Sequence, residues 1–206
     1  MMYAKVLALL LMLNSHGTAP ATIEDIADAL MLYPVEELPL KIALMWTETD
    51  FRPHAVSRKG ACGVTQLMMR WHGEYECEDV TEDQVLALQL ADDELDKYLR
   101  HCGRHWYLAT YNRGYRRCCG GFYYKKNVDV KPEGWFECEE RHRSYQTKVE
   151  RRAGLVTKWL ADGPKSWLDC ETGEGIGYMV GVFSGYSRAR MDENLEKTGL
   201  RCIAAE

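Results

Sequence analysis

The sequence predicts a mainly α-helical domain built around one buried helix, and three observations carry that prediction. The segment Leu38–Glu48, LPLKIALMWTE, is too apolar to expose any side and should run through the core. Apolar residues recur at helical spacing in several further segments along the chain. Residues 115–140, rich in glycine, cysteine and aromatics, keep no steady period and read as a small β or loop excursion from the helical pattern.

Taken in order, Thr22 opens a helix with Ile23, Ile26, Ala27 and Leu30 on one face and Asp25 at the capping-box position. Pro34 and Pro39 punctuate the short connection to the buried helix. TEDQVLALQLADDELDKYLRHCG is the clearest amphipathic helix. Thr81 and Gln84 form a capping-box pattern, the apolar face holds Val85, Leu88, Leu95 and Leu99, and Gly103 is the stop signal. HWYLATYN reads as a further helix closed by Gly114. Helical spacing returns through Tyr145, Val149, Ala153, Val156 and Leu160, ending at Asp162-Gly163-Pro164. Beyond Cys170 the chain turns glycine-rich, and residues 165–206 read as a C-terminal extension without an assignable role.

At 206 residues with 46% hydrophobic content, the chain is long enough to bury one substantial core. The net charge of −5 is mild and announces neither a nucleic-acid nor a membrane partner. Charge is unevenly spread: Arg100 to Lys131 holds eight Lys/Arg and one acid, Asp129. Such a segment suits an anionic polymer, and equally a solvated face balanced by acids elsewhere. The N-terminal MMYAKVLALLLMLNSHGTAPA has an apolar run, Val6 to Leu13, too short to span a bilayer. It reads as a short secretory leader over residues 1–21, with a leucine-rich first core helix as the alternative. Eight cysteines suit an oxidising compartment and disulfides, although the pairing cannot be deduced from sequence. A metal site drawn from His101, Cys102, His105, Cys118 and Cys119 lacks the paired spacing of a zinc motif.

The chemistry gathers after the buried helix. Glu48 ends it, at the negative pole of the helix dipole, where a carboxyl tends to hold its proton. Cleaving a glycosidic bond needs such a carboxyl to protonate the leaving oxygen. Gly60 and Gly63 permit tight backbone paths, and Ser57 and Gln66 bring hydroxyl and amide groups suited to sugars. Each of these residues alone would ordinarily be unremarkable surface polarity.

Together they resemble the signature of the bacterial and phage soluble lytic transglycosylase family, whose fold is lysozyme-like. Its pattern is a Glu, then F-x-P, Ala, Ser, G-A-x-G and M-Q-[IL]-M. Glu48, Phe51, Pro53, Ala55, Ser57, Gly60, Ala61, Gly63, Gln66, Leu67 and Met68 match it in order. Thr49 replaces the usual Ser, and Thr65 stands where Met is usual. ATYNRG is similar to a second family motif, A-x-Y-N-x-G, placing Tyr111 and Asn112 in the cleft. The third motif, E-T-x-x-Y-V, survives only as Tyr145, with Arg141 at the Glu position and Gln146 at the Val position.

The resemblance covers residues 22–160, and a domain of residues 22–164 is expected. It implies cleavage of the β-1,4 bond between N-acetylmuramic acid and N-acetylglucosamine in peptidoglycan. Glu48 would be the single acid/base and the product a 1,6-anhydromuramyl end. Ser57, Gln66, Tyr111, Asn112 and Tyr145 would position the sugar. No metal and no organic cofactor is implied. Peptidoglycan strands are the expected partner, with Arg113, Arg116 and Arg117 available to dock its carboxylates. The setting is the periplasm or cell envelope, or a phage assembly acting on the wall. A lysozyme-type hydrolase, using a second acid such as Asp50, Glu74 or Glu76, is the alternative enzyme. A non-catalytic glycan-binding module is the alternative of another class.

Overall fold

The computed structural model describes residues 2–14, 16–104, 107–113 and 135–162. The elements are α1 (Met2–Leu13), α2 (Pro20–Leu30), α3 (Leu38–Glu48), β1 (Ala61–Cys62), β2 (Leu67–Met68), a 3-10 turn (Met69–Trp71), α4 (Cys77–Glu82), α5 (Gln84–Cys102), α6 (Tyr107–Arg113) and α7 (Trp135–Asp162). The mainly α-helical expectation holds.

α3 is the central helix and occupies the span expected of it. Its residues Leu38, Ile42, Ala43, Leu44, Met45 and Trp46 are all buried, and its most extensive partner is α7. Its one lysine is buried as well. Lys41 Nζ lies 2.5 and 2.6 Å from the two carboxylate oxygens of Asp92 on α5, 3.3 Å from Glu37, and over the Tyr33 ring. A buried charge needs this kind of partnering, and the pair ties α3 to α5. Val149, Val156, Trp159 and Leu160 bring the apolar face of α7 into the same core.

α1 joins that core. Val6, Leu9, Leu10 and Leu13 are buried against α2 and α7, and Lys5 Nζ donates to the Leu160 carbonyl at 2.8 Å. No helix among the described residues is long and apolar enough to cross a membrane.

Three local expectations are corrected. α2 starts at Pro20, with no side-chain cap from Thr22, because proline at the first turn presets φ and needs no N–H partner. The pattern at Thr81 and Gln84 is not a cap. Thr81 closes α4, whose capping box is Glu76 with Asp79, and α5 is capped by Asp83 accepting from Val85 N and Leu86 N. α7 begins at Trp135, inside the stretch expected to be irregular. A strand pair forms in the Gly-rich turn region, antiparallel, with Ala61 opposite Met68 and Cys62 opposite Leu67, while residues 115–134 of the expected excursion lie outside the described residues.

Cys62 and Cys77 are disulfide-bonded, and Cys102 is also in a disulfide, which removes it from the metal reading. Among the described residues no cluster of His, Cys, Asp and Glu could hold a metal ion. The 165–206 extension, Arg116 and Arg117 lie outside the described residues.

Candidate active site

Glu48 is the last residue of α3, and the chain turns sharply after it. Asp50 and Phe51 both take left-handed φ, 57° and 62°, which side-chain-bearing residues adopt only where their surroundings hold them there. The surroundings are visible. Phe51 is fully buried and its carbonyl accepts from Thr18 Oγ1 at 3.2 Å, while the Asp50 carboxylate faces His16 Nε2 at 3.3 Å. Thr49, buried between them, donates from Oγ1 to the Val64 carbonyl at 2.9 Å. The Thr at the usual Ser position therefore keeps a hydroxyl that ties the end of α3 to the strand-pair loop.

That loop is held by its own polar groups. Ser57 Oγ accepts from the N–H of Ala61 at 2.9 Å and of Lys59 at 3.3 Å, closing the turn into β1. Gln66, itself at φ 57°, donates from Nε2 to the carbonyls of Ala55 at 3.0 Å and Gly63 at 3.1 Å. Both of its amide protons thus knit the loop, and the amide oxygen is the group left to address a sugar. Gly63 is a position where glycine is required. Its φ is +76°, and a Cβ there would meet the Val80 carbonyl oxygen of α4 at 2.9 Å. The Cys62–Cys77 disulfide ties this loop covalently to α4 as well.

Three residues from distant segments close on Glu48. Tyr145 of α7 donates its hydroxyl to Glu48 Oε1. The Asn112 side chain, from α6, hydrogen-bonds the same carboxyl, and the Lys148 ammonium lies within electrostatic reach. Burial raises the Glu48 pKa above the ordinary carboxylate value, and the Tyr145 bond, the Lys148 charge and the Asn112 bond oppose it in that order without cancelling it. None of the groups acting on Glu48 among the described residues is an acid. Asp50 points to His16, Glu74 is exposed, and Glu76 caps α4.

Tyr111 sits beside this group rather than on it. Its hydroxyl donates to the Thr65 carbonyl at 2.8 Å, linking α6 to the loop, and burial with the nearby Glu48 charge holds its own proton firmly. Thr65, fully buried at the usual Met position, turns its Oγ1 to the Ala87 carbonyl. The structure therefore gathers Glu48, Asn112 and Tyr145 into one group, with Tyr111 adjacent. Ser57 and Gln66 hold the loop that follows α3.

Residues 33–130 match the family model of the transglycosylase SLT domain. This part of the chain belongs to that family. No curated protein and no solved structure matches the chain. The SLT domain implies transglycosylase activity on peptidoglycan, and together with the disulfide it is consistent with an extracytoplasmic, cell-wall location. The family match ends at residue 130, so the whole of α7 lies beyond it. Tyr145, Lys148 and Arg152 reach the end of α3 from that helix. Sequence reasoning found the first by a fragment of motif and missed the other two. Their spacing of three and seven residues from Tyr145 was the available signal, since it puts all three on one helix face.

Proposed function

We propose that the SLT domain cleaves the β-1,4 bond between N-acetylmuramic acid and N-acetylglucosamine as a lytic transglycosylase, with Glu48 as its single acid/base. The observation that supports this most is the environment of Glu48: a desolvated carboxyl, held by Tyr145 and Asn112, with no acid acting on it among the described residues. Burial keeps the carboxyl protonated to higher pH, as a general acid requires.

In the first step Glu48 gives its proton to the glycosidic oxygen, the bond to the anomeric carbon breaks, and positive charge develops on the muramyl ring. The Tyr145 hydroxyl and the Lys148 ammonium then stabilise the carboxylate that remains. In the second step that carboxylate takes the proton of the muramyl C6 hydroxyl as its oxygen bonds to the anomeric carbon. One C–O bond is broken and one formed, the proton returns to Glu48, and no water is consumed. A hydrolase of the retaining or inverting type would ordinarily place a second carboxylate across the bond.

Asn112, Tyr111, Ser57 and Gln66 line the approach to Glu48 in this reading, with the Gln66 amide oxygen offered to an N-acetyl N–H. The protein would act in the cell wall, reached by export to the periplasm or by delivery with a phage assembly. Purified protein incubated with sacculi should release fragments one water lighter than hydrolysed muropeptides by mass spectrometry. Glu48→Gln should bind sacculi and release nothing. Fragments of hydrolysed mass would install the lysozyme-type reading instead, and binding without release by the wild type would leave a glycan-binding module.

A further inference from the structure

We propose that Arg152 is a positioning residue for the acid/base, holding the last turn of α3 against α7 so that the Glu48 carboxyl meets the Tyr145 hydroxyl. The inference rests on the reading of Glu48 as the acid/base.

The contacts lie at the end of α3, where helix stops at Glu48 and Asp50 turns left-handed. The last carbonyls of a helix take their donors from outside it. Arg152 reaches this turn from another helix: Nη1 donates to the Trp46 carbonyl at 2.6 Å and lies 3.2 Å from Thr47 Oγ1. Its guanidinium also lies over the Trp46 ring, 4.1 Å from the centroid, and that ring is 5% exposed. A cation at this spot offsets the negative pole of the α3 dipole, just before the carboxyl that must carry charge during the reaction.

The second half of the argument is register. Tyr145 and Arg152 are two turns apart on one face of α7, and they grip α3 at Glu48 and at Trp46–Thr47. Fixing the Arg152 contact therefore fixes where the tyrosine hydroxyl falls. Burial brings the Arg152 pKa down to about 10, so the guanidinium remains charged at neutral pH. The other titratable groups around this end of α3 are Tyr111 on α6, Lys148 on α7, and Asp50 with its partners His16 and Arg52.

The test is the pH dependence of kcat and KM on soluble glycan strands for wild type, Arg152→Gln and Arg152→Lys, with circular dichroism to establish folding. Loosening the Tyr145 bond raises the proton affinity of Glu48, because that bond favours the carboxylate. A folded Arg152→Gln should therefore lose about tenfold or more in kcat with KM within about twofold, because misplacing a reacting group by a fraction of an ångström acts on the transition state. Its alkaline limb should move up by roughly half a pH unit. Arg152→Lys should recover part of both. A folded glutamine variant with wild-type kcat, or with reduced kcat and an unmoved limb, would overturn the proposal. If the glutamine variant does not fold, the lysine variant decides by the same two readings. Glu48→Gln runs alongside: an active Glu48→Gln sinks the acid/base reading itself, whereas an inactive one beside a normal Arg152→Gln sinks only this inference.

Discussion

The Tyr145 hydroxyl donates to Oε1 of Glu48 across 97 positions of sequence, joining the end of the central helix to a helix that begins beyond the reach of the family match. Tyrosine cannot share its own proton loss with this carboxylate: burial and the Glu48 charge hold the phenol well above its ordinary pKa. The bond therefore runs one way, and it stabilises Glu48 whenever Glu48 is charged.

Tyr145→Phe should move the alkaline limb of the kcat profile upward. The bond favours the carboxylate, so removing it leaves the acid form dominant to higher pH. A charged hydrogen bond is worth about 1.5–3 kcal/mol, which corresponds to a shift of about one to two pH units. A profile superimposable on that of wild type would mean that the tyrosine does not tune the acid.

Glu48→Gln should be more stable than the wild type at neutral pH. The folded protein raises the Glu48 pKa, so the native state binds the proton more tightly than the unfolded chain. That contribution is fully present below the unfolded pKa of about 4.3 and is lost as pH rises through the folded value. Thermal melts across this range should show Glu48→Gln gaining on wild type as pH rises. Equal melting temperatures at acid and neutral pH would contradict it.

The double variant Cys62→Ala/Cys77→Ala should lose about 3 kcal/mol of stability in denaturant titrations, the usual effect of a cross-link that closes a loop of 15 residues. Because Gln66 and β2 lie inside that loop and β1 ends at Cys62, activity should fall before the protein unfolds. A variant that keeps full activity at every denaturant concentration where it stays folded would show that the wall does not need the staple.

Much of the architecture was legible locally. The Leu38–Glu48 helix has the bounds its composition suggested, because an uninterrupted apolar run between proline and a turn can only be buried helix. Gly103 ends α5 at φ 72°, as its position after the apolar face indicated. Thr81 misled because the S/T-x-x-E/Q pattern also occurs where one helix stops and the next begins. The cap was decided by which backbone amides were free, and those lay beside Asp83.

The candidate site divides along the same line. Glu48, the glycine turns and Asn112 are set by residue type at short spacing, and sequence alone placed them. The rest depended on which surfaces packed together. Cysteine pairing follows from which side chains meet in space, and the meeting of Cys62 with Cys77 was decided by the docking of α4 on the strand pair. Ser57 and Gln66 also hold the loop's own backbone, because its amides and carbonyls need partners. Sequence by itself determined that a carboxyl would stand at the end of a buried helix, because that is a matter of periodicity and composition. Only the tertiary structure decided what surrounds it. Tyr145, Lys148 and Arg152 reach that carboxyl because α7 lies along α3, and helix-on-helix packing joins parts of the chain whose separation no local pattern records.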